Sequence, residues 1–509
     1  MTPLPREGRR EGAPHPPRPL DFGRLFIRHI RRHNAGALRG MNRETEALTM
    51  MADAATELAP EIPFRCRRSS LTVLTSLLRN PLSAIPPEAF SEKLVLSRVA
   101  GRDSLYICDP ALIQEALLRN ADALGKGDTM RRVLGPALGQ GLLTADGAHW
   151  RWQRRAVAAG FQHDSLTGFL PAMIAAAEAT RDGWLDKEIW PDKTRPLDIG
   201  HEMMHTTFAI IVETMLSGSG DFDAGKVEGA ITDYLEPSNF MFAYSLLRAP
   251  EWLPYPGRSR ALASVGYLRA TLGAMVAKRR ASGQHRNDLV DMLLASADPE
   301  SGRAMSDAEI VDNLLTFVTA GHETTALGLA WTFHLLSRHR AVEDAVLAEI
   351  EAVTGGSALK PEHIMALPLT RAVFQEAMRL YPPVPVITRQ VEEPFQLGGV
   401  ALKEGMVLYV PIQAVHRHER LWDQPDLFDP ARFLGEAARL RHRYAYMPFG
   451  AGPRICIGSA FATMEAVAIL AVLLRAIRLE PLTQEPPEPT LKITLRPKRP
   501  LLMTATARA

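Results

Sequence analysis

Cysteine is scarce in this sequence: its three copies, Cys66, Cys108 and Cys456, stand far apart in a chain of 509 residues. So few and so scattered cysteines exclude a disulfide-stabilised small fold, and no CxxC pair offers half of a zinc site. The pattern predicts a protein of a reducing compartment. The chain, 46% of it hydrophobic, is long enough to bury a large core.

Long apolar runs are also missing, since no run of 18 or more apolar residues occurs. The best candidate, residues 462–479, is interrupted by Glu465 and Arg475, which predicts a buried helix and no transmembrane anchor. The first twenty residues are rich in Pro and Arg and have no apolar core segment. No secretory signal is therefore expected.

The chain has little excess charge of either sign, because its formal net charge is +2 at pH 7. No general attraction to nucleic acid follows, and we predict no nucleic-acid partner. The charge is uneven, since residues 1–40 hold nine arginines and three acidic residues. We interpret residues 1–65 as a basic, partly disordered extension. A mitochondrial transit peptide fits less well, because no serine precedes Ser69.

Residues 66–509 have the pattern of a globular domain in which helix predominates. Windows rich in Ala, Leu, Glu and Arg, such as residues 110–122, predict helices. Short runs of branched and aromatic residues predict strands. We therefore predict a mainly α (α+β) domain with small sheets. The predicted strands are residues 94–99, 395–402, 406–412 and 491–497.

One predicted helix is unusually long, running from a capping box of Ser306 and Glu309 to Arg340 without a proline. Its ~32 residues span roughly 48 Å at ~1.5 Å per residue. Its centre reads AGHETT (residues 320–325), in which Gly and Thr are weak helix formers. A buried Glu323 there is unfavourable unless it is paired or protonated. This conflict indicates a functional segment, unless Glu323 faces solvent.

The stretch FGAGPRICIG (residues 449–458) places Cys456 in a glycine-rich loop directly before an apolar predicted helix. Glycines at positions 450, 452 and 458 permit positive φ and a close approach of the backbone to a flat ligand. Backbone N–H groups and a helix N-terminus near the sulfur predict a lowered thiol pKa. A nucleophile and a metal ligand both fit, although no histidine base is close in sequence.

Arginines and their neighbours form further candidate sites. Arg454 suits a carboxylate or phosphate, and Trp150 and Arg154, spaced i,i+4 on a predicted helix, can donate to the same anion. Glu376 and Arg379 are spaced i,i+3 between apolar residues, which predicts a buried ion pair. Taken singly, such residues are also common on protein surfaces.

Together these segments resemble the motifs of the cytochrome P-450 family. FGAGPRICIG is similar to the haem-binding signature FxxGxRxCxG at every fixed position, and AGHETT resembles the oxygen-activation motif. EAMR followed by YPPVP is similar to the ExxR helix, and residues 141–155 resemble the WxxxR helix. Residues 428–433 (FDPARF) are similar to the PERF element, with Ala431 where Glu is common. The five motifs follow the family order over about residues 70–505.

The resemblance implies a helical prism around haem b, with Cys456 as the axial thiolate ligand of the iron. Thr324 is then expected to hydrogen-bond dioxygen and Glu323 to relay protons. Ala320 and Gly321 are expected to let the helix pass close over the porphyrin. Other implied haem-binding residues are Trp150, Arg154, Arg389, Arg454, Phe449, Gly450 and Gly458.

The resemblance also implies a structural ion-pair triad and a substrate pocket. The triad is Glu376, Arg379 and Arg432. The segments near residues 123–142 and 236–245 are expected to border an apolar pocket, which favours a hydrophobic substrate such as a fatty acid, terpenoid or aromatic. The implied pocket residues are Phe317, Ala320, Val386, Ile387 and Ile493.

The implied activity is that of a monooxygenase that hydroxylates or epoxidises its substrate with O2. No flavin or iron–sulfur motif is present, so electrons from NAD(P)H are expected through a ferredoxin or flavodoxin and its reductase. A basic run, Arg439, Arg441, His442 and Arg443, is predicted to attract the acidic partner. Without an anchor helix the chain resembles the soluble bacterial members, so a cytoplasmic monomer is expected.

Two alternatives remain at this point. A haem-thiolate peroxygenase, isomerase, dehydratase or sensor shares the cysteine loop, although Glu323 and Thr324 together favour oxygen activation. The sequence HEMMH (residues 201–205) fits the HExxH motif of zinc proteases. The longer metzincin pattern is not matched, because no third histidine follows at the required spacing.

Overall fold

Helices make up most of the computed structural model, which describes residues 63–508 apart from residues 67, 100, 187–195, 217, 219, 221, 251, 287 and 299. The helices of the first half are α1 (Ser70–Arg79), α2 (Pro110–Gln114), α3 (Gly127–Leu138), α4 (Gly147–Ala158), α5 (His163–Thr167), α6 (Leu170–Leu185), α7 (Ile199–Met215), α8 (Ala224–Leu235) and α9 (Ser238–Leu246). Those of the second half are α10 (Arg258–Ser282), α11 (Leu289–Ala295), α12 (Asp307–Arg338), α13 (Arg340–Thr354), α14 (Pro361–Ile364), α15 (Pro368–Leu380), α16 (Ile412–Val415), α17 (Gly435–Leu440) and α18 (Ser459–Ala476).

The strands are short and lie in small sheets. They are β1 (Phe64–Arg65), β2 (Leu94–Val99), β3 (Arg102–Ile107), β4 (Leu124–Gly125), β5 (Pro196–Asp198), β6 (Ile387–Val391), β7 (Phe395–Leu397), β8 (Val400–Leu402), β9 (Val407–Val410), β10 (Ile477–Pro481), β11 (Pro489–Leu491), β12 (Leu495–Pro497) and β13 (Leu502–Ala507). Within the described ranges the sheet orders are β1-β2-β3-β9-β6-β4, β10-β13-β5, β11-β12 and β7-β8.

The largest of these sheets is mixed, since β3 runs parallel to β9 and antiparallel to β2. Tyr106 lies directly opposite Tyr409 in this parallel pair, and their rings stack with centroids 4.7 Å apart. Phe64 and Arg65 pair with Val95 and Leu96 of β2. These two residues of the predicted extension therefore belong to the sheet, while residues 1–62 of it lie outside the described residues.

Helix α12 crosses the helical part of the fold and has the 32 residues expected from its sequence. Ser306 caps it: its Oγ accepts the Glu309 N–H at 3.3 Å, and the Glu309 carboxylate accepts the Ser306 N–H at 3.0 Å. Helices α7, α10, α15 and α18 pack against it. The capping box satisfies backbone donors that would otherwise be unpaired, so a local signal fixes where the central helix begins.

The buried apolar side chains form separate helical and sheet cores. The helical core centres on α12 and α18, and the sheet core lies between the mixed sheet and residues 110–117. The cysteine loop lies where the two cores meet, because Phe449 packs on the helical core and Ala451 on the sheet core. A loop at such a junction is held from both sides.

Helix α18 (Ser459–Ala476) follows the cysteine loop and is apolar enough to span a membrane by length and composition. Two thirds of it is buried inside the protein, and its interior residues belong to the helical core. The helix is therefore the buried core helix that the sequence predicts, despite its hydropathy. It is the only such candidate among the residues that the structure describes.

The structure confirms some of the predicted strands and divides others. Residues 94–99 form β2 with the predicted bounds, and residues 395–402 form the hairpin of β7 and β8. Residues 491–497 do not form one strand, because the turn 492–494 separates β11 from β12. The helix predicted over residues 110–122 is also broken, into α2 and a wider turn over Glu115–Arg119.

Candidate active site

The cysteine loop is a tight turn whose two ends are hydrogen-bonded to each other. The Cys456 N–H donates to the Phe449 carbonyl at 2.9 Å. Gly450 and Gly452 have φ of +74° and +71°, a region that other residues rarely adopt. A Cβ on Gly452 would also lie 2.1 Å from the Leu117 carbonyl oxygen. Backbone conformation and close packing therefore require Gly450 and Gly452, whereas Gly458 has a φ of −84° and does not adopt the positive φ expected from sequence.

Cys456 is an exposed residue of the cysteine loop. The dense surrounding protein still keeps bulk water from the sulfur, and this desolvation raises the pKa of Cys456. The Gly458 N–H and the Arg154 guanidinium act in the opposite direction. The lowered pKa expected from sequence is wrong for the protein alone, because burial outweighs the helix terminus. A metal ion bound to the sulfur would supply the missing stabilisation of the thiolate.

Trp150, Arg389 and Arg454 line one cleft together with Asp146. The Arg454 guanidinium lies 4.3 Å from the Trp150 ring centroid and donates to the Ala145 carbonyl at 2.9 Å. Arg454 also forms an ion pair with Asp146. Helix α4, which carries Trp150 and Arg154, thus meets the cysteine loop through the arginine of the sequence signature.

Several enclosed cations near this cleft lack a carboxylate partner among the described residues. Arg389 donates to the Thr388 carbonyl at 2.8 Å, and burial lowers its pKa to about 10. Burial, followed by repulsion from Arg389 and Arg454, lowers the pKa of Lys126 well below its ordinary value. Burial likewise lowers the pKa of Arg154. Because positive charge is in excess here, the cluster suits a ligand that carries carboxylates.

Lys126 is a candidate binding residue that sequence reasoning missed. It lies between β4 and α3, far in sequence from Arg389 and Arg454. A single lysine in a loop carries no pattern, so only the tertiary structure reveals its place in the cluster.

Helix α12 is buried along most of its length but is open at its centre. Ala320 is exposed, and Thr324 is half-buried, one turn further along the same face. The Thr324 hydroxyl donates to the Ala320 carbonyl at 2.7 Å. Small side chains and one hydroxyl therefore leave a gap in the burial of the core helix at its middle.

Gly321 has a packing role that the resemblance did not imply. A Cβ on Gly321 would lie 2.6 Å from Cδ1 of Ile211 on helix α7. The glycine therefore permits close packing of α7 against α12, and Ala320 is the residue that borders the open space. Helix packing explains the glycine without any ligand.

Glu323 is buried and paired, so the alternative that it faces solvent is wrong. Its side chain accepts the Thr494 hydroxyl at 2.5 Å and forms an ion pair with Arg496. Both partners belong to the β11–β12 hairpin. The cost of a buried carboxylate in the helix is thus offset by a guanidinium from the C-terminal part of the chain.

Glu376 and Arg379 form a fully buried, two-point ion pair at 2.7 and 2.8 Å. Arg379 also donates to the carbonyls of His416 and Leu427 at 2.8 and 3.0 Å. Nε of Arg432 lies 3.5 Å from the Glu376 carboxylate. The structure therefore brings the three residues together, and they join α15 to the segment before the cysteine loop.

The implied pocket residues come from α12, from β6 and the residue before it, and from the β11–β12 hairpin. Phe317 is one turn before Ala320 and Gly321, and its ring centroid is 5.4 Å from that of Phe161. Cδ1 of Ile387 is 3.5 Å from a Cβ built on Gly450. Val386 packs beside it on the sheet core, and Ile493 packs on the helical core from the turn of the β11–β12 hairpin. These contributions are apolar.

The basic run before the cysteine loop is divided by the fold. Arg439, His442 and Arg443 are exposed, and Arg443 lines a cleft with Phe449 and Gly450. Arg441 instead stacks 4.4 Å from the Trp422 ring centroid and donates to the Arg432 carbonyl. Arg441 is therefore a packing residue and not part of the exposed basic surface, contrary to the expectation from sequence.

The HEMMH segment does not form a metal site in the part of the chain that the structure describes. His201 and His205 are exposed on α7, while Glu202 accepts the Trp184 indole N–H at 2.7 Å. No cluster of three or more His, Cys, Asp or Glu suited to a metal ion occurs among the described residues. A zinc protease would need a third ligand.

The residues present fit a haem. One accessible cysteine sulfur offers an axial ligand, and the enclosed cations offer counter-charges for two propionates. A model for the cytochrome P-450 family matches residues 88–504. The chain belongs to this family. Membership implies a haem cofactor and an oxidoreductase activity.

Two relatives of this cytochrome P-450 come from Streptomyces melanosporofaciens. Cyclooctatin synthase is 32% identical over 83% of this chain and 91% of its own length. Cyclooctat-9-en-7-ol 5-monooxygenase is 32% identical over 80% of this chain and 86% of its own length. Pentalenene oxygenase of Streptomyces avermitilis is 31% identical over 85% of this chain and 94% of its own length.

The architecture is also that of known members. The crystal structure of the cytochrome P450DA heme domain superposes with a TM-score of 0.77 and 24% identity, over 89% of this chain and 99% of that one. This likeness confirms the predicted mainly helical fold with small sheets. The family assignment excludes the zinc protease alternative.

Proposed function

We propose that this cytochrome P-450 is a monooxygenase that inserts one atom of O2 into a hydrophobic organic substrate. The second oxygen atom leaves as water, with two protons and with two electrons that originate from NAD(P)H. The observation that carries the proposal is the gap in the burial of α12 at its centre, where Ala320 is exposed and Thr324 is half-buried. Such an opening in an otherwise buried helix serves a reaction better than it serves stability.

In this proposal the chain itself holds the cofactor at two places. Cys456 would ligate the iron, and the Gly458 N–H and Arg154 would favour its thiolate form. Trp150, Arg154, Arg389 and Arg454 bind the propionates, and we add Lys126 to this set. When bound, the haem supplies the iron at which dioxygen is reduced and oxygen is transferred.

Thr324 acts by its hydroxyl, which carries one proton donor and two acceptor sites. The hydroxyl is held by the Ala320 carbonyl at 2.7 Å, and we propose that it turns to donate to dioxygen in the active site. A proton delivered at this position favours water over hydrogen peroxide as the product of the second oxygen atom. The relay predicted for Glu323 stays a prediction, because it requires the carboxylate to part from Arg496.

Replacement of Thr324 with valine tests this role. Valine keeps the branched shape and removes the hydroxyl, so haem binding should persist while product per NAD(P)H consumed falls by about tenfold or more. The missing product should appear as hydrogen peroxide. The measurement is the ratio of product, peroxide and NAD(P)H consumed. Thr324→Ser, which restores a hydroxyl, should recover most of the product.

An unchanged ratio of product to NAD(P)H consumed in Thr324→Val would contradict the proposed role of Thr324. A peroxygenase is separated from a monooxygenase by the same assay. Product formed from added hydrogen peroxide alone, with no dependence on O2 and NAD(P)H, would indicate a peroxygenase.

The substrate class that we propose is a terpene. Two of the relatives named above are oxygenases named for the terpenes cyclooctat-9-en-7-ol and pentalenene, and the implied pocket residues Phe317, Ile387 and Ile493 are apolar. A panel of terpene hydrocarbons should be screened by the spin-state shift of the haem. Heavy-isotope O2 should then place one labelled atom in the product. An apolar pocket separates related hydrocarbons weakly, so several should bind.

Electrons reach the haem from a separate acidic partner in this proposal, a ferredoxin or flavodoxin. The corrected docking surface is Arg439, His442 and Arg443, without Arg441. Reversal of charge in the double variant Arg439→Glu, Arg443→Glu should slow reduction by about tenfold at low salt, with a smaller effect at high salt.

The matched control is Arg260→Glu, a reversal at an exposed arginine of helix α10. The control should leave the reduction rate near that of the parent protein. If the control and the double variant slow reduction equally, the effect is one of net charge. That result would contradict the proposed docking surface.

A further inference from the structure

The C-terminal hairpin of β11 (Pro489–Leu491) and β12 (Leu495–Pro497) carries Ile493 in its turn. Ile493 packs on the helical core. Thr494, the next residue, bonds to Glu323, which adjoins Thr324 in sequence. The hairpin turn is therefore joined directly to the part of α12 that borders the active site.

The join is a buried polar cluster and not an apolar contact. Glu323 and Thr494 are each 4% exposed, and Arg496 is largely buried. The Glu323 carboxylate accepts hydrogen bonds from both the Thr494 hydroxyl and the Arg496 guanidinium. Loss of one member leaves a buried charge or acceptor unsatisfied, so the cluster favours a single position of the turn.

Other bonds hold the strands of the hairpin. The Trp331 indole N–H donates to the Leu495 carbonyl at 3.3 Å, and the Leu495 N–H donates to the Pro383 carbonyl at 2.8 Å. Asn80 binds the outer strand through Pro489 and Leu491. Within the turn, Lys492 also pairs with Glu236, but Glu236 is exposed, so the buried bond of Thr494 is expected to contribute more.

We propose that Arg496 and Thr494 are specificity-determining positioning residues. By binding Glu323 they fix the hairpin turn and thereby Ile493, so the shape of the pocket for a large ligand depends on this cluster. The proposal rests on the proposed active site. It also gives Glu323 a role in positioning that is separate from proton relay.

Two azoles of different size, imidazole and econazole, test the proposal without turnover, because both ligate haem iron through a nitrogen atom. Imidazole is too small to reach far from the iron, whereas econazole fills a large pocket. In Arg496→Gln the Kd of econazole, measured from the Soret shift, should rise about tenfold, and that of imidazole should change less than about twofold. Thr494→Val should also raise the Kd of econazole. This variant replaces Arg496→Gln as the test if Arg496→Gln does not fold.

Lys498→Gln is the matched control, since Lys498 pairs with Glu488 in an exposed ion pair at the base of the same hairpin. The control should leave both azole affinities unchanged, because exposed pairs contribute little. An unchanged econazole Kd in both Arg496→Gln and Thr494→Val would overturn the proposal. Equal weakening of imidazole would do so as well, because it would mean a general loss of the site.

A double-mutant cycle separates positioning from relay. If Glu323 affects econazole binding through Arg496, the double variant Glu323→Gln, Arg496→Gln should bind econazole no more weakly than the weaker-binding of the two single variants. Additive losses would show independent actions and overturn the coupling. Failure of the proposed function is distinguishable, because azole binding requires only the haem pocket, whereas the monooxygenase activity is tested by product formed from O2 and NAD(P)H.

Discussion

Cys456→Ala is expected to abolish thiolate ligation and with it monooxygenase activity. In the dithionite-reduced protein with carbon monoxide, the parent should show a strongly red-shifted Soret band, which the variant should lack. The physical reason is that Cys456 is the exposed cysteine of the cysteine loop, so its sulfur can bind the iron. No neighbouring cysteine can replace it, because Cys108 is fully buried in the sheet core.

Cys66→Ser is the matched control, because Cys66 is a half-buried cysteine next to β1. The control should keep the shifted band at full intensity. A band that survives in Cys456→Ala would show that another residue ligates the iron. A parent protein that binds no haem would contradict the fit of the site.

Glu376→Gln is expected to destabilise the protein by about 3–5 kcal/mol, the range for breaking a buried ion pair. The change keeps the size of the side chain but leaves the Arg379 guanidinium, which is fully buried, without a counter-charge. Arg432 also loses the carboxylate that lies 3.5 Å from its Nε. Because these residues hold the segment before the cysteine loop, the variant should lose haem as well as stability. Denaturant unfolding followed by the Soret band measures both.

The same pair of residue types at the same spacing occurs on the surface of α6, where Glu178 lies 3.3 Å from Arg181 and both are partly exposed. Glu178→Gln should cost no more than about 1 kcal/mol, because solvent screens exposed ion pairs. Similar losses in the two variants would contradict the argument that burial, and not the pairing itself, sets the cost of Glu376→Gln.

Local signals predicted the elements that depend on local interactions. The capping box of Ser306 and Glu309 gave the start of α12, and alternating branched residues gave β2 with its observed bounds. The apolar run of α18 was predicted to be a buried helix because of its two charges, and it belongs to the helical core. Capping and periodicity act over a few residues, so they can be read without knowledge of the fold.

Predictions that depended on spatial neighbours were less accurate. Arg441 was placed on a basic surface but stacks on Trp422, and the packing of Gly321 against Ile211 was not predicted. The lowered pKa expected for Cys456 is reversed by burial. In each case the deciding contact comes from a residue distant in sequence, and no local pattern encodes it.

The sequence by itself determined the family, the helical class, the cysteine loop and the order of the site motifs, because these depend on residue types at short fixed spacings. Only the tertiary structure decided which side chains meet: Arg496 with Glu323, Arg454 with Asp146, and Arg441 with Trp422. Buried charges are stable only next to specific partners. The fold selects those partners by bringing together distant segments, such as those of Asp146 and Arg454, which are 308 positions apart.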